Sequence, residues 1–231
     1  MQITETLVEI LVIRHGETDW NKDRRLQGHL DIALNAEGQR QAQALASWLA
    51  HESLDAIFSS DMQRTQQTAA PLARASGIAV QLDAGLRERC YGALEGLCRP
   101  EIKSRFPSAY AALDQRDVDM RYPAGAPPDS HIAETLNEFF QRTTAALHRI
   151  VDLAKSQQSQ QSHRRIAIIT HGGVLDCFYR YALNIPLVRH RDFDIFNASI
   201  NRMAWDGRQL RITGWGDVEH LQAQSLDEVD R

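Results

Sequence analysis

Short apolar runs alternate along this chain with longer stretches of helical periodicity. Runs such as "VEILVIRH" show no polar face, which is typical of strands buried on both sides of a sheet. Stretches such as "NAEGQRQAQALASWLAHE" repeat apolar residues every three or four positions, which predicts an amphipathic helix. The pattern predicts strands at 8–15, 55–60, 78–83 and 164–173, and helices at 35–52, 61–77, 131–155 and 174–184, with a shorter helix near 100–106.

Cap and turn residues mark the ends of several of these elements. Asn35 stands before the first long helical stretch, where its side chain can accept from the free amides of the first turn. Gly77 closes the second stretch, and Asp206-Gly207 lies between two strand-like segments, which predicts a hairpin over 199–215. The apolar stripe of the 131–155 helix is expected to face inward through Ile132, Leu136, Phe139, Phe140, Leu147, Ile150 and Val151.

The order of elements predicts an α/β fold. Strands that alternate with helices form a mostly parallel sheet covered on both faces, so we expect a three-layer α/β/α sandwich with an antiparallel edge hairpin. We find no repeat and no clear linker, and therefore predict a single domain over residues 1–231, with a weakly ordered tail at 216–231. The Pro/Gly-rich segment 122–130 and the Ser/Gln-rich segment 156–163 are predicted connectors.

Composition narrows the classes of partner. The formal net charge of -4 argues against nucleic acid or an anionic membrane as a bulk partner. No apolar run approaches the roughly 20 residues that span a bilayer, and "MQITETLVEI" lacks the pattern of a secretory signal. The three cysteines, Cys90, Cys98 and Cys177, form no pair with metal spacing and leave an odd thiol. These features favour a cytoplasmic protein.

Two predicted strands end in the same way. "LVIRHGE" and "AIITHGG" each end in a histidine followed by glycine, at His15-Gly16 and His171-Gly172. In open parallel sheets ligands bind beyond the carboxyl ends of the strands, so the two imidazoles would face each other if the strands are neighbours. The glycines allow backbone amides to approach a ligand, and the helix that follows His171 presents its N-terminus, which favours an anion.

A metal site is the competing interpretation of a histidine pair, since histidine is the commonest metal ligand. Arg14, however, adjoins His15 and keeps its charge, so it would repel a cation. No HxxxH or CxxC spacing supplies further ligands. We therefore predict no metal, and a basic crevice suited to a dianion such as phosphate.

Other polar residues follow predicted strands. Arg64 lies on the first turn of the helix after "IFSSD", where it could bind phosphate oxygens bidentately. Glu88 follows the third strand in "LRERCYGALEG", and a carboxyl held among phosphate oxygens tends to be protonated, as a general acid must be. A neutral imidazole can act as the nucleophile of phosphoryl transfer. Candidate substrate-binding residues are Asn21, Arg25, Arg89 and Gly172.

The same residues resemble the histidine phosphatase superfamily, also called the phosphoglycerate-mutase-like family. The signature "RHGETDWN" is followed in the expected order by "SSDMQRTQQTA", "LRERCYGALEG" and "ITHGGV". The resemblance implies that His15 becomes phosphorylated, and that Glu88 protonates the leaving oxygen and later activates water. It also implies a metal-free phosphate pocket formed by Arg14, Arg64 and His171, with Asn21 and Arg25 at positions that contact substrate.

The resemblance leaves two enzymatic branches open. "ERCYGALEGL" followed by Arg99 resembles the mutases, in which a basic residue holds the other end of the substrate. The mutases, however, carry a longer insert with paired arginines, where this chain offers Arg116 and Arg121 in a different register. This favours a phosphomonoesterase acting on a small phosphorylated metabolite without a cofactor. The alternative is a phosphoglycerate mutase that depends on 2,3-bisphosphoglycerate.

Two further expectations concern partners. A catalytically inactive relative that only binds a phosphorylated ligand is the third hypothesis, and the intact set of five catalytic candidates disfavours it. Trp205 and Trp215 are expected on the final hairpin, where an exposed pair would allow a homodimer.

Overall fold

Six strands and seven helices form the part of the chain that this computed structural model describes, which is residues 7–126, 131–156, 163–221 and 227. The strands are β1 (Leu7–Arg14), β2 (Ala56–Ser59), β3 (Val80–Leu82), β4 (His163–Thr170), β5 (Ile200–Trp205) and β6 (Leu210–Asp217). The helices are α1 (Asp19–Lys22), α2 (Ala36–Leu49), α3 (Gln63–Ser76), α4 (Arg99–Arg105), α5 (Pro107–Asp114), α6 (Leu136–Ser156) and α7 (Gly172–Leu183). Short 3-10 turns lie at Ala84–Leu86 and Gly92–Leu94.

One sheet with the strand order β3-β2-β4-β1-β5-β6 organises the molecule. Strands β3, β2, β4 and β1 run parallel, while β5 is antiparallel to β1 and β6 is antiparallel to β5. The predicted α/β sandwich, with a mostly parallel sheet and an antiparallel edge hairpin, is therefore confirmed. In the register of β1 with β4, Arg14 is opposite Thr170, so His15 and His171 leave the sheet side by side.

The apolar run of β1 has no polar face because both of its faces are covered. Val8, Ile10 and Val12 join the core formed with α6 and α7. Leu11 and Ile13 join a second core formed with α2 and α3. A strand buried on both sides ends where its side chains first reach a polar crevice. In β1 this residue is Arg14.

Local signals set the ends of two helices as expected. The side chain of Asn35 accepts from the amide of Gly38 at 2.8 Å and caps α2. Gly77 adopts the left-handed conformation, with a φ of 72°, and its amide donates to the Ala73 carbonyl at the end of α3. The hairpin formed by β5 and β6 turns at Asp206-Gly207, again as expected.

Helix α6 begins later than its apolar stripe predicts. The Thr135 hydroxyl accepts from the Glu138 amide at 3.1 Å, and the Glu138 carboxylate accepts from the Thr135 amide at 2.9 Å. This reciprocal cap starts the helix at Leu136 rather than at residue 131. Ile132 precedes the helix and is 58% exposed, so the expectation that it faces inward is wrong.

The tryptophans of the final hairpin pack within the chain. Trp205 is buried and its ring meets His148 edge to face, with 5.1 Å between centroids. Trp215 packs against Tyr179 and Phe193. These contacts do not support a dimer through an exposed Trp205–Trp215 pair, and self-association stays a prediction.

Parts of three predicted segments lie outside the described residues. Residues 127–130 belong to the Pro/Gly-rich connector, and residues 157–162 belong to the Ser/Gln-rich connector between α6 and β4. In the predicted weakly ordered tail, Gly216 and Asp217 complete β6, whereas residues 222–226 and 228–231 lie outside the description. Among the helices described, none combines the length and the apolar character needed to cross a membrane.

Candidate active site

Two imidazoles meet at the carboxyl ends of β1 and β4. The His15 amide donates to the Thr170 carbonyl at 2.9 Å, which holds the two strand ends together. The rings of His15 and His171 lie with their centroids 5.3 Å apart and their planes at 62°. Both residues are buried. The juxtaposition expected from the two strand-His-Gly sequences is therefore observed.

The ring of His15 is held in one tautomer. Its Nδ1 lies 2.7 Å from the Gly16 carbonyl oxygen. A carbonyl oxygen only accepts hydrogen bonds, so Nδ1 carries the proton and Nε2 carries the lone pair. The backbone carbonyl of His15 accepts from the Asn197 side chain at 3.1 Å and from the Ala198 amide at 3.2 Å. These contacts fix both the ring and the backbone of His15 and leave the lone pair of the ring on Nε2.

The ring of His171 is held in the opposite tautomer. Arg64 Nε donates to its Nδ1 at 3.2 Å, so this nitrogen is the acceptor. Its Nε2 therefore carries the proton and donates to the Ser60 hydroxyl at 3.0 Å. Ser60 directly follows β2, and sequence analysis did not identify it as a site residue. Its position at the end of a third strand, four residues before Arg64, could have indicated that it belongs to the site.

Two buried arginines flank the histidine pair. Arg14 Nη1 donates to the Ile195 carbonyl at 2.7 Å. Arg64 donates through Nη2 to the Gly28 carbonyl at 2.8 Å and through Nη1 to the Leu30 carbonyl at 3.1 Å. Carbonyl oxygens orient a guanidinium group without neutralising its charge. The arrangement therefore favours an anion beside the imidazoles.

Burial and positive charge lower the pKa of both histidines. For His15 the pKa lies well below its ordinary value, first because the ring is desolvated and then because Arg64 and Arg14 repel a proton; the Gly16 carbonyl opposes the shift. For His171 the pKa is also lowered well below the ordinary value by burial, then by Arg64 and His15. Both rings are therefore neutral in the ligand-free protein near neutral pH.

We expect the rings of His15 and His171 to remain neutral at the pH where an ordinary imidazole is half protonated, about 6.5. A lowered pKa extends the neutral form to lower pH, so protonation should appear only on further acidification. Ring proton shifts followed by NMR from about pH 8 to 5 would measure this, with the His15→Asn and His171→Asn variants assigning the resonances. A titration midpoint at or above 6.5 for either ring would contradict the expectation.

Glu88 reaches the same edge of the sheet from the loop after β3. Its carboxylate accepts from its neighbour's amide, Arg89 N, at 2.8 Å and from the Gly173 amide at 2.9 Å. Gly173 lies in the first turn of α7, the helix that begins directly after His171. A Cβ at Gly173 would fall 2.2 Å from Glu88 Oε1, so glycine is needed for this approach. The contact places a carboxyl group at the first turn of the helix that follows His171.

The glycine after His15 has a steric explanation. A Cβ at Gly16 would lie 2.6 Å from the Gly38 carbonyl oxygen at the start of α2. The Gly16 amide donates to the Thr68 hydroxyl of α3 at 3.0 Å. The apolar strand thus turns on a glycine because two helices close directly over its end.

Asn21 and Arg25 make contacts within the protein. Asn21 is buried, and its side-chain oxygen accepts from the Thr18 amide at 3.1 Å and from the Asn197 amide group at 3.2 Å. Arg25 Nη1 donates to the Glu101 carboxylate at 2.7 Å. Asn21 therefore supports the loop that carries His15, and substrate contact by either residue stays a prediction.

Arg89 and Gly172 lie beside a narrow cavity next to the first turn of α7. Arg89 Nε donates to the Glu134 carbonyl at 3.0 Å, and its guanidinium lies 4.8 Å from the centre of the Tyr122 ring. Contact of Arg89 and Gly172 with substrate also stays a prediction. The charged residues that line the cavity are Arg89, Arg116, Arg191 and Asp176.

Some supporting residues escaped sequence analysis. Asn197 is buried, and its side chain joins the His15 carbonyl to Asn21. It precedes β5, which is antiparallel to β1, so its approach to the site depends on a pairing that the local sequence does not specify. In the described ranges, no group of three or more His, Cys, Asp or Glu side chains is placed to hold a metal ion.

Comparisons with known proteins agree on one family. The model of the histidine phosphatase superfamily (branch 1) matches residues 10–218. Phosphoglycerate mutase-like protein 4 of Arabidopsis thaliana is 39% identical over 217 residues, 93% of this chain and 87% of that protein. Probable phosphoglycerate mutase GpmB of Escherichia coli is 32% identical over 230 residues, 97% of this chain and 100% of that protein. The structure of mycobacterial glucosyl-3-phosphoglycerate phosphatase Rv2419c with VO3 is similar at a TM-score of 0.74 and 26% identity, covering 90% of this chain and 98% of that one.

Proposed function

The chain belongs to the histidine phosphatase superfamily, a family of phosphoryl-transfer enzymes, and on this premise we propose that it is a metal-independent phosphomonoesterase that hydrolyses a small phosphorylated metabolite. The observation that carries the proposal is the pair of neutral imidazoles, 5.3 Å apart between two buried arginines. The similarity to a solved glucosyl-3-phosphoglycerate phosphatase at 26% identity supports hydrolysis over isomerisation.

The first half-reaction would form a phosphohistidine. His15 Nε2, which carries the lone pair, attacks phosphorus while the ester P–O bond breaks in line. Arg14 and Arg64 offset the charge on the equatorial oxygens, and the neutral ring of His171 can donate a hydrogen bond to one of them from Nε2. Glu88, which enters this step protonated, gives its proton to the leaving oxygen, and an alcohol departs.

The second half-reaction would return the enzyme to its starting state. Glu88, now a carboxylate, takes a proton from a water molecule as that water attacks phosphorus. The P–N bond breaks, inorganic phosphate forms, and the electron pair returns to His15 Nε2. The Nδ1 proton of His15 stays on Nδ1, hydrogen-bonded to the Gly16 carbonyl, through both steps, so the ring needs no change of tautomer.

A mutase is the second candidate. Two relatives at 39% and 32% identity carry phosphoglycerate mutase names. Arg89 lines the cavity beside Gly172 and would suit a substrate whose far end is anionic, whereas Arg116 and Arg191 in the same lining form ion pairs with Asp176 and Asp227. In a mutase the phosphohistidine would donate to a second substrate instead of water, and 2,3-bisphosphoglycerate would be required to charge His15.

Phosphate release from p-nitrophenyl phosphate, measured beside the isomerisation of 3-phosphoglycerate with added 2,3-bisphosphoglycerate, separates the candidates. We expect hydrolysis to exceed isomerisation, and phosphate to accumulate on His15 during turnover. Fast isomerisation with negligible hydrolysis would establish the mutase. Absence of phosphohistidine with every ester tried would instead favour the inactive ligand-binding relative.

We also propose a cytoplasmic location. Cys90, Cys98 and Cys177 are all free thiols, as is usual where the surroundings are reducing.

A further inference from the structure

Arg142 of α6 binds the loop that carries Glu88. Its Nη1 donates to the Gly85 carbonyl at 2.9 Å and to the Arg87 carbonyl at 3.0 Å. Its Nη2 donates to the Glu88 carbonyl at 3.1 Å and to Glu134 Oε2 at 2.7 Å, and its Nε donates to Glu134 Oε1 at 2.6 Å. These contacts use all five N–H groups of a guanidinium. Three of them fall on the chain leading into Glu88.

Glu134 holds the other side of the same loop. Its Oε2 accepts from the Cys90 amide at 3.0 Å, and its backbone carbonyl accepts from Arg89 Nε at 3.0 Å. Burial acts to raise the pKa of Glu134, but the hydrogen bonds and charge of Arg142 outweigh it, so the pKa is lowered and the group is ionised. The chain is thus fixed immediately before and immediately after Glu88.

We propose that Arg142 and Glu134 form a clamp that positions Glu88 to give its proton to the leaving oxygen. The proposal rests on the proposed function, in which Glu88 is the general acid. The two residues act through the backbone of Glu88, to which His29 Nε2 adds a further hydrogen bond at 2.9 Å. General acid catalysis requires placement within hydrogen-bond reach of the leaving oxygen, so a small shift of this backbone lowers the rate.

Leaving groups distinguish positioning of an acid from general structural support. A p-nitrophenolate is a weak base that departs without a proton, whereas an alkoxide is a strong base that needs one. A displaced general acid therefore slows alkyl phosphates and spares p-nitrophenyl phosphate. A merely structural defect slows both alike.

The test compares kcat/KM for p-nitrophenyl phosphate and for glycerol 2-phosphate in Arg142→Gln and Glu134→Gln. We expect a loss of about 100-fold with the alkyl ester and less than about fivefold with the aryl ester. Glu88→Gln should show the same selective loss. Arg149→Gln is the matched control, because Arg149 lies on the same helix and binds Asp83 at the exposed surface.

The proposal would be overturned if Arg142→Gln and Glu134→Gln unfold at the wild-type temperature and lose kcat/KM equally on the two esters. An unchanged kcat/KM for the alkyl ester would also overturn it. Arg142→Lys keeps the charge but offers three donors for five acceptors, so it should retain the fold and still lose alkyl turnover selectively. If Glu88→Gln itself lacks the leaving-group difference while the wild type forms phosphohistidine, the role of Glu88 as acid fails and the clamp fails with it. Absence of phosphohistidine in the wild type would instead locate the failure in the proposed function.

Discussion

The His15→Asn variant is expected to lose at least about 10⁴-fold of its turnover with p-nitrophenyl phosphate. Only Nε2 of this ring combines a lone pair with a place among the arginines, and asparagine has no comparable nucleophile. The ring is neutral, so its removal leaves no unpaired charge in the core. We therefore expect the thermal unfolding midpoint to change by no more than a few degrees.

His51→Asn is the control for this substitution, because His51 is exposed and lies away from the sheet edge that carries the site. It should retain wild-type turnover. Acid-labile phosphate should be trapped on the wild type and on His51→Asn, and be absent from His15→Asn. Turnover of His15→Asn within tenfold of the wild type would refute the assignment of the nucleophile.

The Arg64→Ala variant is expected to lose about 10³-fold in kcat/KM. Arg64 contributes positive charge to the pocket and holds His171 by its Nδ1. Alanine removes both, whereas Arg64→Lys keeps the charge alone and should recover part of the loss. Comparison of the two variants in a p-nitrophenyl phosphate assay separates charge from orientation.

Arg74→Ala provides the matched control, since Arg74 is an exposed arginine of the same helix. Arg64→Ala also removes the donor that binds the buried carbonyl of Gly28, which costs about 1–3 kcal/mol of stability, whereas the Leu30 carbonyl still accepts from the Ile32 amide at 3.2 Å. Circular dichroism must therefore show a folded variant. A folded Arg64→Ala with less than a tenfold loss would remove Arg64 from the phosphate pocket.

The placement of His15 beside His171 could be predicted because it depends on local sequence patterns. An unbroken apolar run that ends in His-Gly specifies both a buried strand and the position of its end. Parallel strands share the edge at which they end, so His15 and His171 had to meet once β1 and β4 were neighbours.

Contacts between distant segments could not be predicted in the same way. Glu134 lies just before α6 and Arg142 lies on that helix, and nothing in the sequence near them indicates that they bind the loop around Glu88. Asn197 reaches His15 through an antiparallel pairing that no local pattern specifies. The start of α6 was predictable in principle, because Thr135 and Glu138 have the spacing of a capping box.

The position of β1 in the sheet has a consequence for biosynthesis. This strand is synthesised well before its two neighbours in the sheet, β4 and β5, which lie far along the chain from it. Pairings between such distant segments form slowly, and a nascent chain is exposed to aggregation until they do. The reactive centre is consequently among the last parts to mature, and partially translated fragments lack it altogether.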